Sequence, residues 1–137
     1  MGPVGSGQVT KAANQLIVGG TLALVAEATV LLKKSGVDPA TALSALRGGL
    51  AGSRILDLKG PQMIEREFTP TFAAGLHLKD MDIAMAVGHE AHCVLPVTAC
   101  VLQLFEAVCA CGFAEQDHSA IIKIIETLSG IEVERRN

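Results

Sequence analysis

The chain of 137 residues has no tryptophan and no tyrosine, and aromatic residues make up only 3% of it. With half of all residues hydrophobic and a mean hydropathy of +0.43, its core must be built from Ala, Leu, Ile and Val. That composition suits closely packed helices better than a β-sandwich. No stretch alternates apolar and polar residues with a period of two, so no strand is expected and the fold class is all-α. Internal repeats and low-complexity segments are also missing. A length of this order supports one domain with a real core and excludes two ordinary ones.

Strong charge of either sign is lacking too. The net charge is −3, and the Lys and Arg residues are scattered rather than gathered in a stripe. This argues against nucleic acid and acidic membrane surfaces as partners. The four cysteines, Cys93, Cys100, Cys109 and Cys111, include no Cys-x-x-Cys pair and follow no signal-peptide pattern. A reduced, cytoplasmic protein is the expectation. His89, His92 and Cys93 stand at helical spacing, but zinc wants further ligands that this stretch does not supply, and no metal is expected.

What is present is concentrated at the start. Gly2-Pro3-Val4-Gly5-Ser6-Gly7 leads directly into Gln8-Val9-Thr10-Lys11-Ala12-Ala13-Asn14-Gln15. Positions i, i+3 and i+4 share one helix face, so Lys11, Asn14 and Gln15 can point together at one place. That place would see one cation and two carboxamides, although a plain helix start with a solvated lysine has the same spacing. The glycines do not make a dinucleotide fingerprint, which needs a strand before them and an acidic residue about 20 residues later.

Along the chain, a long apolar helix is predicted over Gln8–Lys34, with a bend allowed at Gly19-Gly20 and stop chemistry at Lys33-Lys34-Ser35-Gly36. Its centre, Leu16 to Leu32, approaches the length of a membrane span but is interrupted by Thr21, Glu27 and Thr29. A helix buried on several sides, in the core or against a second subunit, is expected instead. Asp38-Pro39 opens a short helix over 40–47. Ser53 caps another, which Gly60-Pro61 should break before Gln62–Glu67, and Phe68-Thr69-Pro70-Thr71 reads as a loop. A second long helix is predicted from Phe72 to about His92, with His77, Lys79, Asp80 and Asp82 in its middle. Val97–Cys111 and a final helix capped by Asp117, ending at Gly130, complete the domain.

Four stretches carry a family likeness. Gly-x-x-Gly-x-Gly-x-x-x-Lys-x-x-Asn-Gln (Gly2 to Gln15), Arg47-Gly48-Gly49-Leu50-Ala51-Gly52-Ser53, Leu76-His77-Leu78-Lys79-Asp80-Met81 and Asp117-His118-Ser119-Ala120 occur in this order. Together they resemble the C-terminal domain of the β-hydroxyacid dehydrogenases, a helical domain of the 6-phosphogluconate dehydrogenase type. The resemblance implies NAD or NADP as cofactor, a small 3-hydroxy acid or its aldehyde as substrate, and a homo-oligomer built partly through the long helix. It makes Lys11 the general acid for aldehyde reduction, and Asn14 or Gln15 the group orienting lysine and substrate, Asn14 matching the motif best. It places Phe72 and Lys79 near the nicotinamide end of the cofactor, with Ser53 and Asp80 as lesser candidates. Packing for Phe72, a solvated or paired charge for Lys79–Asp80, and a cap for Ser53 are the bland alternatives. It also divides the chain into an interdomain junction at residues 1–7, the all-α domain at 8–131 and a charged tail at 132–137. A Rossmann domain with the glycine fingerprint and a Ser-Gly-Gly segment is expected on the N-terminal side and is not in these residues. A non-catalytic oligomerisation module is the alternative of a different class.

Overall fold

The computed structural model describes residues 2–132; the charged tail, apart from Glu132, lies outside the described residues. These residues form six α-helices: α1 (Ser6–Lys34), α2 (Pro39–Leu46), α3 (Arg54–Glu65), α4 (Ala74–Glu90), α5 (Pro96–Ala110) and α6 (Ile121–Ser129). A 3-10 turn, His118–Ala120, leads into α6. No strand occurs among the described residues, only an isolated antiparallel bridge between Ala73 and Asp117.

α1 is the axis of the fold. It runs 29 residues without a break at Gly19-Gly20 and packs against each of the other five helices. By length and composition it could cross a membrane. Its inner face, with Leu22, Ala23, Ala26 and Val30, instead forms the core with Met63, Met81, Phe105, Val108, Ile121 and Ile122. Burying aliphatic and aromatic side chains of this size contributes roughly 1.5–3 kcal/mol each. The outer face keeps Ile17, Leu24 and Leu31 exposed, seven residues apart, each more than 60% accessible. One apolar helix thus carries two apolar faces, of which the domain covers one.

The predicted caps form. Asp38 accepts from Thr41 N and Ser53 Oγ accepts from Leu56 N. The turn between these helices is tight enough that a Cβ on Gly52 would lie 2.3 Å from the Arg47 carbonyl oxygen, which explains the glycine before Ser53. Pro61 does not break α3, contrary to expectation. It sits on the solvent side, while Leu56, Gly60, Met63 and Ile64 bury one continuous face around it, and that packing outweighs the single lost backbone bond. α4 starts two residues after Phe72, because the Phe68–Gly75 segment is pinned to 114–118. Asp117 N donates to Phe68 O at 2.9 Å, His118 N to Phe72 O at 2.8 Å and Ala74 N to Gln116 O at 2.8 Å. The same helix ends at Glu90, and His92 has a positive φ of 52°. His89, His92 and Cys93 therefore share no helix face, and no metal-binding group of three is found among the described residues.

Candidate active site

Lys11, Asn14 and Gln15 come together on the second and third turns of α1, as their spacing requires. Asn14 Nδ2 donates to Gln15 Oε1 at 2.9 Å, and Gln15 Nε2 donates to Asp80 Oδ2 on α4 at 2.8 Å. The three groups form a chain in which a carboxylate orients one carboxamide and that carboxamide orients the next. α1 and α4 lie side by side here and enclose a cleft of about 300 Å³. Gln8, Lys11, Gln15 and Asp80 supply its polar lining; Ala12, Ile83 and Val87 supply an apolar wall. Of the two carboxamides, Gln15 lines this cleft and Asn14 stands outside it.

Beneath the cleft lies a buried polar layer. His77, with no exposed surface, places Nε2 3.1 Å from the Gln15 carbonyl oxygen and Nδ1 2.8 Å from His118 Nδ1. Its ring stacks on Phe105, with centroids 4.7 Å apart and planes 1° from parallel. Phe72 meets His77 edge-on at 5.7 Å and lies 5.5 Å from His118. Burial pushes His77 below the ordinary imidazole range, opposed by the Gln15 carbonyl and the Asp80 charge. Burial also lowers His118, to about 4, helped by His77 and Lys59 and opposed by Asp117.

Asp117 ties this layer to the loop before α4. Lys59 Nζ sits 3.1 Å from each of its carboxylate oxygens and donates to Thr71 Oγ1 at 2.8 Å. Asp117 Oδ2 accepts from Thr71 N at 3.0 Å, and Oδ1 from Ser119 N at 3.0 Å. Burial alone would raise this carboxyl; the hydrogen bonds from Ser119, Thr71 and Lys59 overcome it and hold the group well below the usual carboxylate range. Phe72 is fixed in place by this knot.

The remaining expected site residues fall elsewhere. Phe72 is half-buried against the histidines and Lys79 is exposed on α4; neither lines the Lys11 cleft. Ser53 caps α3 and is not part of the lining. Asp80, rated a lesser candidate from sequence, is the partner of Gln15. His77, His118 and Lys59 were not foreseen as a unit. The available signal was the mid-helix position of His77 and the presence of both histidines in family-like stretches; Lys59 reads as an ordinary surface lysine.

Comparison with known proteins places this geometry. The fold matches 3-hydroxyisobutyrate dehydrogenase from Salmonella typhimurium with a TM-score of 0.80 at 23% identity, over 84% of this chain and 40% of that one. It matches the Mycobacterium tuberculosis 3-hydroxyisobutyrate dehydrogenase with a TM-score of 0.81, over 88% of this chain and 44% of that one. The helical bundle is therefore the one found in a class of hydroxy acid dehydrogenases. Residues 5–125 match the family model for the NAD-binding domain of NADP-dependent 3-hydroxyisobutyrate dehydrogenase, and the chain belongs to that family. Among curated relatives, 2-hydroxy-3-oxopropionate reductase of Escherichia coli is 40% identical over 94% of this chain and 44% of its own length. The 2-(hydroxymethyl)glutarate dehydrogenase of Eubacterium barkeri is 34% identical over 97% of this chain and 44% of its own length. The chain thus spans less than half the length of these relatives.

Proposed function

We propose that the Lys11 cleft is the catalytic part of an NAD(P)-dependent oxidoreductase that reduces 2-hydroxy-3-oxopropanoate (tartronate semialdehyde) to D-glycerate. The observation that carries this reading is the cleft itself, where one lysine stands beside a carboxamide that Asp80 holds in orientation. When bound, a dihydronicotinamide would supply the hydride for reduction of the aldehyde carbon. As that carbon is reduced, negative charge gathers on the carbonyl oxygen. Lys11 Nζ stabilises the charge and gives its proton to that oxygen, leaving a neutral amine and a hydroxyl; in oxidation it takes the proton back. Gln15, which lines the cleft, orients the substrate with its carboxamide, Asp80 keeps Gln15 in place, and Asn14 acts from outside the cleft through its bond to Gln15 Oε1.

The residues present suit one end of the cofactor. Ala12, Ile83 and Val87 offer an apolar wall for a flat ring, while a single cation in the cleft cannot match a pyrophosphate. Phe72, held in the loop before α4, and Lys79, exposed on α4, are proposed to approach the nicotinamide end from outside the cleft lining, as the family likeness implies. Ser53 is assigned the cap of α3, its lesser site role resting on the family likeness alone. The phosphates are assigned to a Rossmann domain preceding residues 1–7, which is consistent with the chain spanning 44% of its curated relatives. The exposed Ile17, Leu24 and Leu31 stripe is assigned to a homo-oligomer interface. All four cysteines are free, which suits the cytoplasm.

The substrate rests on the higher identity to the 2-hydroxy-3-oxopropionate reductase, 40% against 34% for the 2-(hydroxymethyl)glutarate enzyme. Another 3-hydroxy acid of the family is the second reading. A kinetic panel on the full-length enzyme decides between them. The highest kcat/KM is expected with 2-hydroxy-3-oxopropanoate; a higher value with methylmalonate semialdehyde or the oxidised form of a four-carbon sugar acid would replace the substrate, and no NAD(P)H oxidation with any would remove the activity.

A further inference from the structure

The carbonyl oxygen of Gln15 can only accept a hydrogen bond, so His77 Nε2, at 3.1 Å from it, carries a hydrogen. A neutral imidazole with hydrogen on Nε2 has a bare lone pair on Nδ1. His118 Nδ1 stands 2.8 Å from that lone pair and therefore donates to it. One main-chain oxygen thus sets the tautomers of two rings. His77 is the Nε2–H form and His118 the Nδ1–H form, the one less favoured in free histidine.

Three further features fix the arrangement. The stack on Phe105 sets the plane of the His77 ring. Residue 19 is glycine, and a Cβ there would lie 3.0 Å from His77 Nε2 and 3.1 Å from Met81 Sδ, so its absence lets the imidazole reach the α1 main chain. Asp117, the carboxylate nearest in sequence to His118, is already engaged by Lys59, Thr71 and Ser119. His118 is left to pair with His77.

We infer that His77 and His118 are positioning residues for the Lys11 cleft: their one-way hydrogen-bond chain to the Gln15 carbonyl clamps α1 against α4 and gives way when His77 takes up a proton. Gln15 is held by α4 twice, through its carbonyl by His77 and through its side chain by Asp80, one turn further along. Lys11 is one turn before Gln15 on the same helix. A proton on His77 Nδ1 would set two N–H groups against each other at the 2.8 Å spacing, so the pair parts unless His118 gives up its Nδ1 hydrogen and carries one on Nε2 instead. The charged and titratable groups facing the pair are Asp80 on α4, Asp117 beside the 3-10 turn and Lys59 on α3. α1 presents the Gln15 carbonyl and α5 the Phe105 ring. The importance of the clamp for turnover rests on the proposed function; the clamp itself does not.

The test uses the 137-residue chain with 15N-labelled histidine and glutamine, followed by long-range 1H–15N correlation. At neutral pH, His118 is expected as Nδ1–H and His77 as Nε2–H. On acidification, the Gln15 side-chain amide signal is expected to move with the same midpoint as His77. His118 found as Nε2–H, or either ring averaging between tautomers, would overturn the chain of bonds. A Gln15 amide that stays still while His77 titrates, or follows only the carboxylate range, would overturn the positioning role. His77→Phe keeps the ring stack and removes both nitrogens; it is expected to shift the Gln15 amide signal with helicity unchanged. Should that variant fail to fold, the tautomers and titration of the unaltered chain still decide. No readout involves turnover, so an inactive enzyme and an absent clamp are separate results.

Discussion

Gln15 and Asp80 join the two long helices at the edge of the cleft, Gln15 Nε2 donating to Asp80 Oδ2 at 2.8 Å. The carboxylate accepts from an amide whose oxygen in turn accepts from Asn14, so removing it frees both carboxamides. Asp80→Leu in the full-length enzyme is expected to lower kcat/KM by about 10–100-fold, on the scale of a lost orienting contact. Thermal stability should fall little, because a hydrogen bond to a charged group at a half-exposed site contributes only about 1.5–3 kcal/mol at most. Unchanged kcat/KM would remove Asp80 from the orienting chain.

The Lys59–Asp117 pair is nearly inaccessible, with side-chain exposures of 7% and 0%. Lys59→Met would leave Asp117 buried without its cation, and breaking a buried pair in this way costs roughly 3–5 kcal/mol. Urea unfolding should show that loss together with looser packing of Phe72, whose loop Asp117 holds. A loss under about 1 kcal/mol would show that Thr71 and Ser119 suffice to satisfy the carboxylate.

Acidification should destabilise the domain in a step to which His118 contributes, with buried His77 acting in the same direction. The folded-state pKa of His118, about 4, lies below the ordinary 6.5, so the unfolded chain takes up the proton first. Stability is therefore full above pH 6.5, falls as the pH drops toward 4, and levels off below. Linkage gives a loss of about 2 kcal/mol between pH 7 and pH 5 from this group. Asp117 is also held low, but its contribution is lost only below the ordinary carboxylate value of 3.8. Urea midpoints measured at pH 7, 6 and 5 check the step; a flat response in that window would contradict the buried, neutral pair.

Ile17, Leu24 and Leu31 repeat every seven residues on the outer face of α1, exposed to 63%, 66% and 67%. Leu24→Glu is expected to weaken the proposed self-association at least tenfold in sedimentation without changing the fold, since the side chain is 66% exposed in this domain. An unchanged sedimentation profile would move the interface elsewhere.

Local chemistry made most of the helices legible in advance. Asp38-Pro39, Ser53, Gly112 and Gly130 each mark a boundary through a cap or a turn that the backbone needs. Pro61 misled because the rule against proline inside helices is local, whereas the buried face through Leu56, Gly60, Met63 and Ile64 is a tertiary effect. Helix spacing put Lys11 and Gln15 on one face, where both line the cleft, while Asn14 reaches only the Gln15 carboxamide. Asp80 was harder to rank, since its partner lies 65 residues away in sequence. The His77–His118 contact spans 41 residues and depends on the loop pinned by Asp117. Periodicity carries no information about such a pairing.

The proton donor is the centre of the account, and chemical rescue tests it most directly. Lys11→Ala in the full-length enzyme should lower kcat by about 10²–10⁴-fold, the range for loss of a positioned general acid. Added methylammonium should restore part of that rate, because a small cation can enter the space the side chain leaves and donate the same proton. Near-normal turnover in Lys11→Ala would contradict the assignment and place the proton donor at another residue.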